Sequence, residues 1–418
     1  MASKKQARKK IILILSPYKP GQKEVNYSTP GGGPAVSGTQ TNEAPVKYLL
    51  REHKEVDGII CVVTSEARKG AWEYFQEKIA AVRPDMKFFE VTFAEGQKFG
   101  SETLDKIMEY VSEGDEILLE TTGGFRNAIL YLLLASRALS YRGIPTVGAV
   151  YSNLNAEKIE DCTPTVELFD LIGGMQEMTS FGSVYTLRQY YQKYKPEPEV
   201  RALLDAMERL YEDITLCRTR QIEKRIDAVN SAMEQAENCS DLMIRTLLPA
   251  FRNKFDRKLT VPGLIKWCIG NGMVPQALTM YKEWIPNYIL KRNALTVKKD
   301  APALENLKEY EVEDDVRFYK LLTLPMLKDT ERLFRQSDFE KAPWPTYSKL
   351  QDILMDYAYI RLLRNKVNHA SAQYTQAQEA LINYLSESKP NIYMRPENVK
   401  IRNVQRALEH GLENLKTC

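Results

Sequence analysis

The stretch from Asp115 to Gly143 reads DEILLETTGGFRNAILYLLLASRALSYRG. A buried strand, DEILLETT, runs into a glycine turn and then into a strongly apolar helix. Two glycines between strand and helix let the backbone turn tightly and present N–H groups, at a positive helix end, to an anionic ligand. Thr122, Gly123, Gly124, Phe125, Arg126 and Asn127 occupy this junction, and Arg126 adds a fork of donors suited to phosphate. A plain βα turn beside a surface arginine accounts for the same residues, so spacing alone leaves both readings open. The pattern is not G-x-G-x-x-G and no Walker lysine follows, which gives NAD and ATP little support.

Outward from this junction, residues 11 to about 175 alternate short β-branched runs with longer helical patterns, the signature of βαβ units and a parallel sheet. The strand candidates are IILILSP, DGIICVVTS, MKFFEVTF, DEILLETT and TVGAVYSN, with TVELFDL as a sixth. Helix candidates fall at 43–52, 69–82 and 101–113, besides the apolar helix after the junction. The fold expected of this half is a Rossmann-like open α/β sheet, in which ligands bind outside the carboxyl ends of the strands. The residues there are polar or glycine-rich: Ser16, Pro17 and Tyr18 after the first strand, Thr64 and Ser65 after the second, Tyr151, Ser152 and Asn153 after the fifth. A Gly-rich insertion at 28–40 leads to Thr41 and Asn42, where Thr41 is placed to cap a helix with Pro45 in its first turn.

From about 198 onward the pattern is helical throughout, including PQALTMYKEWIP, VRFYKLLTL and the long YSKLQDILMDYAYIRLLRNKVNHA, with no convincing strand and no solenoid period. QKYKPEPEV at 192–200 interrupts both periodicities, so the expected domains are 1–195, α/β, and 196–418, all-α.

Composition narrows the function. The 58 basic and 55 acidic residues give a formal charge of +3, too balanced for a protein that coats nucleic acid nonspecifically, so any such contact is local. The six cysteines are scattered without a C-x-x-C, which argues against a zinc knuckle or redox pair and for reduced thiols in a cytoplasm. No apolar run approaches a membrane span, and the basic opening MASKKQARKK reads as a solvated tail before a strand.

Of the three histidines, only His369 has an arginine five residues earlier, Arg364. On a helix these two side chains lie about 140° apart, whereas Asn365 and His369 share a face. Histidine can move a proton near neutrality and arginine can stabilise charge on phosphoryl oxygens. That set suits RNA cleavage by the substrate's own 2′-hydroxyl, a reaction that needs neither a metal nor a protein nucleophile. An interhelical hydrogen-bonding histidine fits the bare spacing as well.

The combination of a Rossmann-like domain whose fourth strand ends in T-T-G-G-F-R-N with a helical domain carrying R-N-K-V-N-H resembles the CARF–HEPN ribonucleases of type III CRISPR systems, over nearly the whole chain. The resemblance implies a CARF-like domain that senses a cyclic oligoadenylate, tetra- or hexa-adenylate, as allosteric activator, and a HEPN-like domain that cleaves single-stranded RNA without a cofactor. It puts the catalytic arginine and histidine on Arg364 and His369 and the polar residue beside them on Asn365. The ligand-sensing loops fall on Ser16 to Tyr18 and Thr122 to Asn127, with Asn42, Thr64, Tyr151 and Asn153 at the neighbouring strand ends. The insertion at 28–40 departs from the family pattern. A homodimer is expected, since a two-fold interface suits a cyclic ligand of matching symmetry. A ligand-controlled transcription regulator would need a compact basic helix-turn-helix, which the helical half lacks. A helical RNA-binding or toxin-like module, with the Arg364–His369 pair structural, is the other rival.

Overall fold

Ile11 to Leu15 are buried without interruption, and a strand apolar on both sides belongs at the centre of a sheet covered on both faces. The computed structural model describes residues 8–93, 101–124, 128–291, 295–297, 339–341, 347–369, 374, 376–396 and 400–416. The chain divides into two compact units, 1–169 and 170–418.

The first unit runs β1 (Lys9–Ile14), β2 (Val25–Tyr27), β3 (Val36–Gly38), α1 (Glu43–Glu52), β4 (Val56–Thr64), α2 (Ser65–Arg68), α3 (Ala71–Ala80), β5 (Lys87–Phe93), α4 (Ser101–Glu109), β6 (Glu116–Glu120), α5 (Ala128–Tyr141), β7 (Thr146–Asn153) and β8 (Lys158–Asp161), and α6 (Thr163–Phe181) begins in it. The main sheet has the order β5, β4, β1, β6, β7, β8, parallel except for β8. Alternation along β1 sorts the core into two layers. Ile11, Leu13 and Leu15 pack with Leu49, Trp72 and Phe75 from α1 and α3. Ile12 and Ile14 pack with Leu132, Ala135 and Leu139 from α5 and Ile107 from α4. Because the chain leaves β1 toward β4 on one side and returns to β6 on the other, the β1–β6 boundary is the switch point where such sheets bind ligands.

Two sequence expectations are corrected here, and one strand that the sequence did not suggest is added. TVELFDL is not a strand but part of α6, in which Leu171, Met175 and Met178 are buried at helical spacing. The antiparallel strand after β7 is instead the charged KIED of β8, an edge strand whose polarity hides it from pattern reading. Thr41 does not cap α1: Asn42 precedes the helix, no side-chain cap forms, and Pro45 is the third helical residue. The Gly-rich insertion folds as the β2–β3 hairpin around Pro30–Gly32, where Gly31 and Gly32 take positive φ of 72° and 74°.

The second unit continues with α7 (Tyr185–Lys193), α8 (Pro198–Thr215), α9 (Ile222–Ala236), α10 (Leu242–Asn253), α11 (Val261–Gly270), α12 (Val274–Lys291), α13 (Tyr347–His369), α14 (Gln376–Ser388) and α15 (Ile401–Lys416). Among the described residues its non-helical element is the antiparallel pair β9 (Leu295–Val297) and β10 (Phe339–Lys341), too short to leave a periodicity in the sequence. VRFYKLLTL lies outside the described residues. The stretch 192–200 falls inside this unit, where Pro198 opens α8 at a position that needs no N–H. No helix among the described residues is long and apolar enough to cross a membrane.

α13 is held by an anchor of unusual polarity. Asp356 is fully buried and accepts from Tyr393 Oη at 2.7 Å and Asn414 Nδ2 at 2.7 Å, while His410 Nδ1 lies 2.9 Å from the same carboxylate. The donors come from α15 and from the segment after α14, so one carboxylate ties three parts of the chain. A buried donor that loses its acceptor costs roughly 1–3 kcal/mol. Asp356→Ala is therefore expected to lower stability by about 3 kcal/mol or more, read as a drop in the urea midpoint; a midpoint near that of the parent would mean the three donors find other partners.

Candidate functional site

Asn42 organises the switch point. Its side chain is fully buried, and its orientation is fixed because Oδ1 accepts from Ser16 N at 2.8 Å and from Gln40 Nε2 at 2.9 Å. Nδ2 must then donate, to Ile14 O at 3.2 Å and to Glu120 Oε2. Glu120, also fully buried, uses its second oxygen to accept from Thr122 N at 2.8 Å. The chain of bonds thus joins the end of β1, the approach to α1 and the end of β6. Gln40 closes the ring by donating to Ser16 O at 2.9 Å and accepting from Asn42 N at 2.7 Å.

The glycine turn is packed into this network. A Cβ on Gly123 would lie 2.1 Å from Ile14 O and 2.3 Å from Asn42 Nδ2, so the backbone approaches as only glycine permits. Gly124 has φ +92° and its N–H donates to Ser16 Oγ at 3.0 Å. The two loops therefore meet at an exposed N–H and a hydroxyl, groups suited to a phosphate oxygen or a ribose hydroxyl. Thr122 Oγ1 accepts from Ser152 N at 2.7 Å, and Ser152 Oγ donates to Thr41 O at 3.4 Å, which brings in the end of β7.

Ser16, Asn42, Thr122, Gly123 and Gly124 thus converge. Tyr18 stacks on Tyr74 of α3, ring centroids 4.0 Å apart, and forms an aromatic wall next to Ser16 and the half-buried Pro17. Thr64 is occupied differently, its Oγ1 capping α2 through Ala67 N at 3.1 Å. Asn153 is committed to the β7–β8 turn, donating to Glu160 Oε1 at 3.0 Å and accepting from Ala156 N at 3.1 Å. Tyr151 is half-buried on β7 opposite Glu160. Phe125, Arg126 and Asn127 lie outside the described residues. Glu120 and Gln40 were not singled out from the sequence, whereas Ser152 was named there as a polar residue at the end of the fifth strand. The available signal for Glu120 was a carboxylate at the inner end of an apolar strand, immediately before the turn.

Burial raises the Glu120 carboxyl to about 7, against the bonds from Thr122 and Asn42 that favour the charged form. A folded-state value above the unfolded one means that the folded chain holds an extra proton between about 4.5 and about 7. Stability from this group is thus lost as pH rises through that interval, by up to about 3 kcal/mol, and levels off above it. Urea titrations of the parent and Glu120→Gln should differ in slope across that window; parallel curves would show that Glu120 does not titrate there.

In the second unit α13 runs unbroken through the R-N-K-V-N-H segment. Arg364 and Asn365 are half-buried, with Arg364 Nη1 3.3 Å from Asn365 Oδ1. Arg361, one turn earlier and absent from the sequence reading, is held down to about 10 by burial and by the Arg364 charge. His369 is the last residue of the helix, and its side chain lies outside the described residues. The other two histidines have structural partners. His53 lies 3.3 Å from Lys9 Nζ and 3.8 Å from Glu55, and His410 is bound to Asp356. Among the described residues no group of three or more His, Cys, Asp or Glu side chains is placed to hold a metal ion.

No family model and no curated protein matches the chain. Among solved structures it is similar to Enterococcus italicus Csm6 bound to cyclic hexa-2′-fluoro-hexa-dAMP, at 13% identity, over 99% of this chain and 100% of that one, with a TM-score of 0.38. A superposition that loose carries no argument about what this chain binds or cleaves.

Proposed function

We propose that the chain is a cyclic-oligoadenylate-activated, metal-independent endoribonuclease for single-stranded RNA, acting as a cytoplasmic homodimer in type III CRISPR antiviral defence. The observation that carries the reading is the unbroken α13, which brings Arg361, Arg364 and Asn365 to its end at His369 while His53 and His410 are engaged elsewhere. The switch-point crevice supplies the matching sensor, with Ser16 and Gly124 at its mouth.

In this mechanism the 2′-oxygen of the RNA attacks the adjacent phosphorus and the P–O5′ bond breaks. A 2′,3′-cyclic phosphate and a 5′-hydroxyl remain, and the proton lost by the 2′-hydroxyl is balanced by one given to the leaving 5′-oxygen. His369 moves protons and Arg364 stabilises the charge that builds on the phosphoryl oxygens, with Asn365 beside them. A second copy supplies the opposite wall. α5 supports such pairing, because it buries Leu132, Ala135 and Leu139 against the sheet yet exposes Leu130, Leu134 and Tyr141 along one outer stripe. A helix apolar on both faces is one that is covered on both. The activator favours the competent arrangement insofar as it binds that state better. Thr122 or Asn127 also holds a ribose of the activator so that its 2′-hydroxyl attacks the adjacent phosphate, which slowly opens the ring and ends the signal.

Incubation with RNA, with and without cyclic tetra- or hexa-adenylate, tests the whole reading. Activator-independent binding without cleavage would favour the non-catalytic RNA-binding module, and activator-dependent binding to duplex DNA the regulator. Arg364→Ala or His369→Ala should cut cleavage about 100-fold or more while activator affinity stays within error. Retained cleavage in both variants would remove the catalytic assignment, and complete loss of activity in EDTA would remove the metal-independent mechanism. Leu134→Asp should shift the chain toward monomer in sedimentation equilibrium and lower cleavage with it. An unchanged dimer would place the interface elsewhere.

A further inference from the structure

Glu120 places a carboxyl group inside the switch point, and among the described residues no cation pairs with it. The group is fully buried and receives two donors, Thr122 N and Asn42 Nδ2. Desolvation favours its neutral acid and the two bonds favour its carboxylate, so it is poised between the two forms.

The neighbours do not tip that balance. β6 packs against β1, β7 and α1. In register across the sheet, Leu13 and Val150 flank Glu120, with Cys61 beyond Leu13 and Asp161 beyond Val150. Burial, with the Glu120 and Glu90 charges, pushes the Cys61 thiol well up, so it stays uncharged. Glu90 on β5 pairs with Arg68, and the exposed Asp161 accepts from Thr163 N. Tyr151 follows Val150 and so belongs to the opposite face of β7. On α1, Glu43 and Lys47 pair with each other. Lys9 and Lys10, at the far end of β1, pair with Glu55 and Asp57.

The carboxyl group is also close to the place where an anion would bind. The amide it receives, Thr122 N, stands two residues before Gly124, whose N–H meets Ser16 Oγ at the mouth of the crevice. Two residues span at most about 7 Å, so the carboxyl group lies within about 10 Å of that amide.

We infer that the crevice takes its phosphodiester ligand together with a proton held on Glu120, binding well when this residue is a neutral acid and poorly when it is a carboxylate. The inference rests on the sensor reading above and adds to it the proton that accompanies the activator. Every phosphate of a cyclic oligoadenylate is a diester and stays ionised near neutrality, so the ligand brings charge but no titrating group of its own. Burial already raises the Glu120 carboxyl to about 7, and a bound anion raises it further. The complex therefore holds more protons than the free chain. Affinity is full below about 7, falls as pH rises through that value, and levels off above the value reached in the complex. At about 10 Å and an effective dielectric constant of about 20, one ligand charge changes affinity roughly tenfold as Glu120 ionises. Glu120 acts through space and through the Thr122 amide, as a positioning residue.

Calorimetry of the full-length chain with cyclic tetra- and hexa-adenylate, from about pH 6 to about pH 9 in buffers of different ionisation enthalpy, tests this. Binding should take up about half a proton per chain near pH ~7.5, and the dissociation constant should rise roughly tenfold across the range. Glu120→Gln, checked for folding by thermal unfolding, should bind with no proton uptake and with an affinity that pH does not change. Glutamine sets an N–H against the donors of Asn42 or Thr122, so if that variant does not fold, uptake by the parent decides. Binding by the parent without uptake and with a flat pH profile overturns the inference, as does uptake that persists in folded Glu120→Gln. A parent that binds no cyclic oligoadenylate at any pH overturns the sensor reading and this inference with it. Binding with uptake but no RNA cleavage overturns the ribonuclease reading and leaves the proton on Glu120 standing.

Discussion

The amide of Asn42 can adopt one orientation, and the first unit is built around that fact. Its oxygen receives the Ser16 N–H and its nitrogen serves Ile14 and Glu120, so a flip would set donor against donor at two buried positions. The bond to Glu120 spans the boundary between β1 and β6, where the sheet reverses its winding. Loops that would otherwise only approach each other become one framework, and Gly123 fits into it with no room for a side chain. The framework holds one hydroxyl and one amide, Ser16 Oγ and Gly124 N–H, in a defined geometry at the switch point.

Much of the sheet was readable because its central strands are apolar on both faces and bounded by turn residues. IILILSP, DGIICVVTS and DEILLETT lie where β1, β4 and β6 form. The failures have separate physical causes. KIED is an edge strand and carries charge where a central strand would carry valine. TVELFDL has strand composition but lies where a helix buries every third or fourth residue. Thr41 and Pro45 suggest a helix start, yet the residue that mattered between them, Asn42, acts through a long-range bond that local pattern does not encode.

The same limit applies to the site. Ser16, Thr122, Gly123 and Gly124 could be found because strand ends and glycine turns have local signatures. Glu120 and Gln40 contribute through partners 78 and 24 residues away, Asn42 and Ser16. In the helical unit the R-N-K-V-N-H segment was visible as spacing. The arrangement that gives it context, Asp356 holding α15 in register, depends on residues 54 and 58 positions apart. Polar networks of this kind are specified by tertiary packing, so single-sequence reasoning finds their members only by accident of position.

The central place of β1 also has a consequence for biosynthesis. β1 leaves the ribosome before either of its sheet neighbours, and β4 can flank it soon afterwards. Its other edge waits for β6, more than 50 residues later than the end of β4. At about 5–20 residues per second that interval lasts roughly 3–10 s. Throughout it the nascent chain presents an unpaired row of amides and carbonyls along a strand whose residues Ile11 to Leu15 are all buried in the folded unit, the kind of edge that recruits foreign strands. The early β2–β3 hairpin and α1 shield one face of β1 but cannot cap that edge, so the unit's yield in the cell should be sensitive to elongation rate between codons 64 and 120.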